Sequence, residues 1–222
     1  MPQNKSKGYG DMADRDDMLA RVYAADGDPE KLIESYDRWA SSYDRDLFAM
    51  GYRHPVVVAG TLARFAPNLD ITVLDAGCGS GLLGEALSLL GYAEVVGIDL
   101  SEGMLEQAAA KTCYADLQQV MLGEDLEYED GTFDAVVSAG VMTVGHAPPE
   151  ALVELARVTR PGGHLVVAIV REAWESGFRN VAERLAADHK ITPLYRTNHY
   201  VGLPGAPEAE RVEARVHVMR RV

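Results

Sequence analysis

A short β-branched run over 71–74 ends in Asp75, and the chain then passes through Ala76-Gly77-Cys78-Gly79-Ser80-Gly81 into a helical stretch. No other segment limits the fold as strongly. Glycines permit a tight turn and bring bare backbone to a ligand, and the helix behind them begins with N–H groups that lack intrahelical acceptors. The same strand–turn–helix grammar then repeats. Strands are predicted over 94–98, 117–122 (the weakest), 133–138 and 164–170. Helices are predicted over 102–111, with Ser101 as cap, and over 149–159. Arg160-Pro161-Gly162-Gly163 reads as a turn into the last of these strands. Such alternation predicts a parallel sheet with helices on both faces.

The flanks follow other rules. Residues 1–10 carry no apolar period and read as a flexible tail, while 11–48 read as helical. Met18, Leu19, Val22 and Tyr23 share one face, and Leu32, Ile33, Tyr36, Trp39, Ala40, Tyr43 and Leu47 recur at spacings of three and four. Asp28 is placed to cap the second helix, with Pro29 at its first position, and a third helix is predicted over 55–65. Beyond the parallel block, 171–189 reads as helical. Two extended runs over 191–201 and 212–219, split by a turn-rich stretch, predict an antiparallel hairpin.

Length and charge bound the function. With 222 residues the chain suits one large domain, assigned to 11–222. Acids outnumber bases 34 to 21, a net charge of −13, which disfavours nucleic acid and anionic membrane surfaces as partners. The basic C-terminal stretch Arg211, Arg215, His217, Arg220 and Arg221 alternates with Val212, Ala214, Val216 and Val218, and reads as one strand with a solvated face. No apolar run reaches the roughly 18–20 residues of a membrane span, and no apolar signal core opens the chain, so a cytoplasmic location is expected. Cys78 and Cys113 cannot make a disulfide framework, and no Cys/His spacing suggests a metal.

In open parallel sheets ligands sit beyond the carboxyl ends of the strands, where Asp75 and the glycines lie. Asp99 ends the next strand and is placed to take both hydroxyls of a ribose. Gly79-x-Gly81-x-x-Gly84 also matches the dinucleotide fingerprint. Charge separates the two ligands. From Phe65 to Ala110 there is no Lys or Arg but seven acids, a setting that repels a pyrophosphate and attracts a ligand carrying an ammonium and a sulfonium. S-adenosylmethionine is such a ligand, and it carries a ribose for Asp99.

At this point the sequence resembles a known family. V-L-D-A-G-C-G-S-G, then G-I-D-L-S, T-F-D-A-V-V-S-A-G-V and R-P-G-G-H-L resemble the ordered motifs of class I S-adenosylmethionine-dependent methyltransferases over about residues 30–170. Tyr36–Asp44, M-L-E-Q-A and E-D-G-T-F-D-A-V are similar, more closely, to the methyltransferase-like proteins named after the Williams–Beuren syndrome chromosomal region. The resemblance implies a Rossmann-like, doubly wound seven-stranded α/β sheet, mostly parallel with a C-terminal antiparallel hairpin. It divides the domain into a helical lid and helices over 11–66 and a core over 67–222.

It also implies roles. Asp75 and the backbone of Ala76, Gly77 and Gly79 would hold the methionine end of the cofactor, and Asp99 the ribose. Leu100 would lie beside the adenine with Met104 packed on it, and Ala139 and Gly140 would close the floor near the methyl group. The family's acid after the third strand is missing; its slot falls at Met121 and Leu122, with Glu124 and Asp125 nearby.

Tyr36, Trp39 and Tyr43 form either a core-facing aromatic stripe or, as the resemblance implies, a lid over the methionine end. Asp37 and Asp44 read as solvated or capping. His146, in the loop bordering the acceptor pocket, is a candidate general base beside Tyr36, or a plain loop histidine. His54 and Arg53 begin a helix that could face the same pocket. Arg171, Trp174, Arg196, His199 and Tyr200 read chiefly as surface, with contact to an acidic acceptor as the alternative, and Cys78 as a space-filler. Ser138-Ala139-Gly140-Val141 stands where amino-group methyltransferases carry Asn/Asp-Pro-Pro-Tyr, which favours a small-molecule acceptor. Methyl transfer by in-line displacement, yielding S-adenosylhomocysteine, is the activity expected of a monomer or homodimer. The alternatives are a non-catalytic S-adenosylmethionine-binding regulatory protein and an NAD-dependent oxidoreductase.

Overall fold

The computed structural model describes residues 18–22, 24–25 and 27–222. The tail over 1–10, the helical start over 11–17 and Tyr23 lie outside the described residues. Residues 18–22 are helical. Helix α1 (Pro29–Ala49) starts as its sequence dictates: the Asp28 carboxylate accepts the Lys31 N–H, and Pro29 occupies the first turn, where no N–H is needed. Helix α2 (His54–Phe65) follows.

The parallel block consists of β1 (Thr72–Ala76), α3 (Leu82–Leu89), β2 (Glu94–Asp99), α4 (Glu102–Ala110), β3 (Asp116–Gln119), β4 (Phe133–Met142), α5 (Ala151–Val158) and β5 (Thr159–Val170). Three helical residues, Arg171–Ala173, lead through a π-helical turn, Trp174–Phe178, into α6 (Arg179–Ala187). Strands β6 (Ile191–Arg196), β7 (Tyr200–Val201) and β8 (Glu213–Arg221) complete the sheet.

The sheet order is β3-β2-β1-β4-β5-β8-β6, parallel from β3 to β5 and antiparallel around β8. The expected first arm of the hairpin is interrupted. At 197–199 the chain leaves the edge, Thr197 Oγ1 accepts the Val216 N–H, and β7 resumes pairing with the start of β8. Eight strands therefore fill seven positions. β8 lies between β5 and the β6/β7 edge, so both of its edges are paired. The solvated face expected for the basic stretch holds at Arg220, which is exposed, but not at His217, which is buried under the Trp174 ring.

Alternate side chains build two cores. Leu74, Ile98, Val136, Leu165 and Val167 pack under α5 and α6, while Val73, Val95, Val137, Val166 and Val218 pack under α2 and α3. Each fully buried Leu or Val contributes roughly 1.5–3 kcal/mol. A third cluster joins Leu19, Val22, Leu32, Trp39, Leu47 and Met50 to Leu203 and Ala206, fixing α1 across the carboxyl ends of the strands. The chain leaves β1 toward β2 on one side and returns to β4 on the other, so the loops after β1 and β4 diverge and open a crevice. Strand β4 runs four residues further than expected because its register with β5 breaks between Ser138 and Met142, with Gly140 at φ +84°. Among the described residues no helix is long and apolar enough to cross a membrane.

Candidate active site

The crevice is a cavity of about 490 Å3. Its floor is pinned by backbone. The Gly77 and Cys78 N–H groups both donate to the Ile98 carbonyl, at 2.8 and 2.9 Å, and the Gly79 N–H donates to Asp99 Oδ2 at 2.8 Å. Gly77 has φ +75°, and a Cβ there would stand 2.2 Å from Val141 Cγ2, so only glycine fits. Gly79 has φ +53° and open space where a Cβ would point, which leaves bare backbone toward a ligand.

Asp99 is 8% exposed, lines the cavity, and accepts from the Ser101 N–H at 3.0 Å through its other oxygen. Burial pushes its carboxyl above the ordinary carboxylate value, while donors from Ser101, Gly79 and Leu100 pull it back. On the neighbouring strand, Asp75 is fully buried and accepts the Tyr114 hydroxyl on Oδ2 at 2.8 Å. Its Oδ1 is buried without a partner among the described residues. Burial pushes the Asp75 carboxyl up to about 7.

Most of the residues expected at the cofactor meet here. Tyr36, Tyr43, Gly77, Gly79, Asp99, Leu100, Met104, Met121, Leu122, Ala139 and Gly140 all line the cavity, as does His146; Glu124 joins Met121 on the wall and Asp125 does not. Three expected residues are off the wall. Asp75 and Ala76 belong to β1, which is flanked by β2 and β4 and covered on both faces. Trp39 turns into the lid's own core: its Nε1–H donates to Asp46 Oδ2 at 3.0 Å, and its ring meets that of Tyr43 edge-on. Tyr36 and Tyr43, seven residues apart, share the helix face that looks into the cavity.

The lid is fastened by side chains. Asp37, expected solvated or capping, caps a remote helix: its Oδ1 accepts from the Ser101 hydroxyl and from the Gly103 N–H at 3.0 Å. Asp44 accepts from the Ser80 hydroxyl in the glycine loop and pairs with Lys111 beyond α4. Across the cavity Tyr36 Oη lies 2.8 Å from His146 Nε2, and His146 Nδ1 lies 3.3 Å from the Val144 carbonyl. A carbonyl only accepts, so the network assigns the imidazole proton to Nδ1, and the Tyr36 hydroxyl donates to Nε2. Burial lowers the His146 pKa, keeping the ring neutral near pH 7.

His54 lies behind this wall. Its Nδ1 meets the Tyr200 hydroxyl at 2.7 Å, it lines a small adjoining cavity that shares Tyr36, Tyr52, Gly140 and His146 with the main one, and burial lowers its pKa to about 4. Two tyrosines escaped the sequence reading. Tyr52 lines the main cavity, and its hydroxyl stands 2.2 Å from where a Cβ on Gly140 would be. Tyr114 bridges Asp75 and the Gly84 N–H, the latter at 3.1 Å. A signal for Tyr114 existed: Gly84 inside a helix and Gly97 inside a strand have no turn to make, and a Cβ on either would stand within 3.0 Å of the Tyr114 ring. The dinucleotide-like spacing thus ends in a glycine that accommodates a tyrosine ring.

The Asp99 carboxyl on the wall beside an open glycine backbone, with Asp75 and its unpartnered oxygen buried behind it, fits a ligand that brings a ribose and a cation. Fold and site together define an α/β protein of the adenosyl-cofactor class. The methyltransferase domain model matches residues 74–167. Methyltransferase-like protein 27 of Homo sapiens is 40% identical over 152 residues, 66% of this chain and 62% of that protein, so the match spans less than two thirds of the human protein. A demethylmenaquinone methyltransferase of Clavibacter sepedonicus is 34% identical over 170 residues, 71% of this chain and 68% of that one. Among solved structures, a TehB-like S-adenosylmethionine-dependent methyltransferase from Corynebacterium glutamicum superposes with a TM-score of 0.62 at 22% identity, covering 85% of this chain and 100% of that chain, a likeness of fold. The chain belongs to the S-adenosylmethionine-dependent methyltransferases, whose cofactor is S-adenosylmethionine.

Proposed function

We propose that this chain transfers a methyl group from S-adenosylmethionine to a small, largely apolar acceptor whose attacking atom carries a proton, and that Tyr36 and His146 remove that proton. The observation that carries the reading is the 2.8 Å contact between Tyr36 Oη and His146 Nε2, both on the cavity wall. The bound cofactor supplies an electrophilic methyl carbon on a sulfonium. Asp99 holds the ribose hydroxyls, the Gly77–Gly79 backbone receives the methionine end, and Met104, Leu100, Met121 and Leu122 enclose the adenine. Asp75 acts from behind this floor. A proton arriving at Tyr36 Oη is matched by transfer of the tyrosine's own proton to His146 Nε2, while the Nδ1–H bond to Val144 holds the ring in place. Alignment of acceptor and methyl carbon supplies the rest of the acceleration.

An apolar acceptor is supported by Leu32, Pro55, Val141, Pro148 and Phe178 on the wall, and by the resemblance to a demethylmenaquinone methyltransferase. The test is transfer of labelled methyl to a panel of quinols, phenols and carboxylic acids. A quinol or phenol is expected to be labelled, and His146→Ala to lower kcat by roughly 10²–10⁴-fold while S-adenosylhomocysteine affinity falls by no more than about 1 kcal/mol, the worth of one lid contact. Cofactor binding without transfer to any acceptor would favour the regulatory, non-catalytic reading instead.

A further inference from the structure

A second concave site lies outside the cavity. A cleft of about 130 Å3 is lined by Arg171, Arg179, Arg196, Arg215, His199 and His217, with Trp174 on its wall and Glu175 as its lone carboxylate. The segment 171–179 separates the two sites: Ala173, Ser176 and Phe178 line the cavity, whereas Trp174 and Arg179 line the cleft.

Most of the cations here face one concavity without a carboxylate partner. Arg38, Arg45, Arg157 and Arg160 each meet a carboxylate. In the cleft only Arg171 does so, with Glu175 and Glu213. The side chains of Arg179 and Arg196 make no hydrogen bond or ion pair among the described residues. Arg215 donates from one terminal nitrogen to His199 Nδ1 at 3.3 Å, and its Nε is buried with no acceptor among the described residues. His217 is stacked on Trp174 with ring centroids 4.0 Å apart, and burial together with Arg196, Arg215 and His199 lowers its pKa to about 4. A chain carrying a net charge of −13 has thus gathered like charges around one concavity, at a cost in mutual repulsion that a bound anion would offset.

We propose that this cleft binds a single phosphate group, either inorganic phosphate or the phosphate of a small phosphomonoester. Guanidinium forks match phosphate oxygens in pairs, and the dianion offers enough acceptors for the terminal nitrogens of Arg179, Arg196 and Arg215 together. The cleft's volume suits one such group. The site stands independently of the methyl-transfer reading.

Trp174 is one of two tryptophans, the other being buried in the lid, so its emission reports on the cleft. Protein saturated with S-adenosylhomocysteine, and protein without it, would be titrated at constant ionic strength with inorganic phosphate, glycerol phosphate, acetate and chloride. Phosphate or glycerol phosphate is expected to give a saturable change, weakened at least about tenfold in Arg196→Gln and in Arg179→Gln. Tighter glycerol phosphate binding would identify a metabolite phosphate, and tighter inorganic phosphate the free ion. Equal responses to phosphate and chloride, or a phosphate response unchanged in both variants, would overturn the proposal.

Discussion

The floor and the lid of the cavity are built by different means. The floor is tied by backbone: Gly77 and Cys78 to Ile98, and Gly79 to a carboxylate that is itself buried. The lid is tied by side chains, Asp37 to Ser101 and Gly103, Asp44 to Ser80 and Lys111, and Tyr36 to His146. Floor contacts cannot loosen without breaking the join between β1 and β2. Lid contacts each use an exposed or half-buried side chain of α1, are worth about 1 kcal/mol each, and can break singly. In the proposed reaction, recognition of the cofactor would therefore belong to the floor and access to it to the lid.

Breaking the floor should have the largest effect. Gly77→Ala combines a left-handed backbone with a methyl 2.2 Å from Val141, and is expected to cost about 2–5 kcal/mol in thermal unfolding. Unchanged melting would mean that the loop is not rigid. Asp99→Ala should next weaken S-adenosylhomocysteine binding by roughly 1.5–3 kcal/mol in calorimetry.

Asp75 sharpens the comparison through pH. Its folded pKa of about 7 stands above the ordinary 3.8, so between these values the folded chain keeps a proton that the unfolded chain loses. Stability of the ligand-free protein should then fall by roughly 1.4 kcal/mol per pH unit as pH rises through that window. Chemical denaturation across the window checks this, with Asp75→Asn expected to lack the slope. The lid should yield the smallest effect. Asp44 and Lys111 are 39% and 16% exposed, so Asp44→Asn should weaken cofactor binding by only about 0.5–1 kcal/mol, and less in high salt. A loss as large as that of Asp99→Ala would erase the distinction between the two regions.

The same distinction explains what the sequence made legible. Gly77, Gly79 and Asp99 were readable because a tight turn, bare backbone and a ribose acceptor each dictate a residue type at a fixed distance from a strand end. Tyr36 and Tyr43 were readable as a face, from their helical spacing. Trp39 was not separable from them, since one turn of helix carries both a cavity face and a core face. Asp37 and Asp44 could not be read as latches, because their partners lie 64 and 36 residues away, at Ser101 and Ser80. Tyr114 left its trace only in the glycines that make room for it. The division of the last sheet position between β6 and β7 also depended on pairing with β8, which local pattern does not encode.

Whether the floor takes an adenosyl cofactor bearing a cation is read by side-by-side calorimetric titration with S-adenosylmethionine, S-adenosylhomocysteine and NAD. Saturable binding of the first two and none of NAD is expected. Binding of NAD alone would contradict the charge argument and the assignment of Asp99 together.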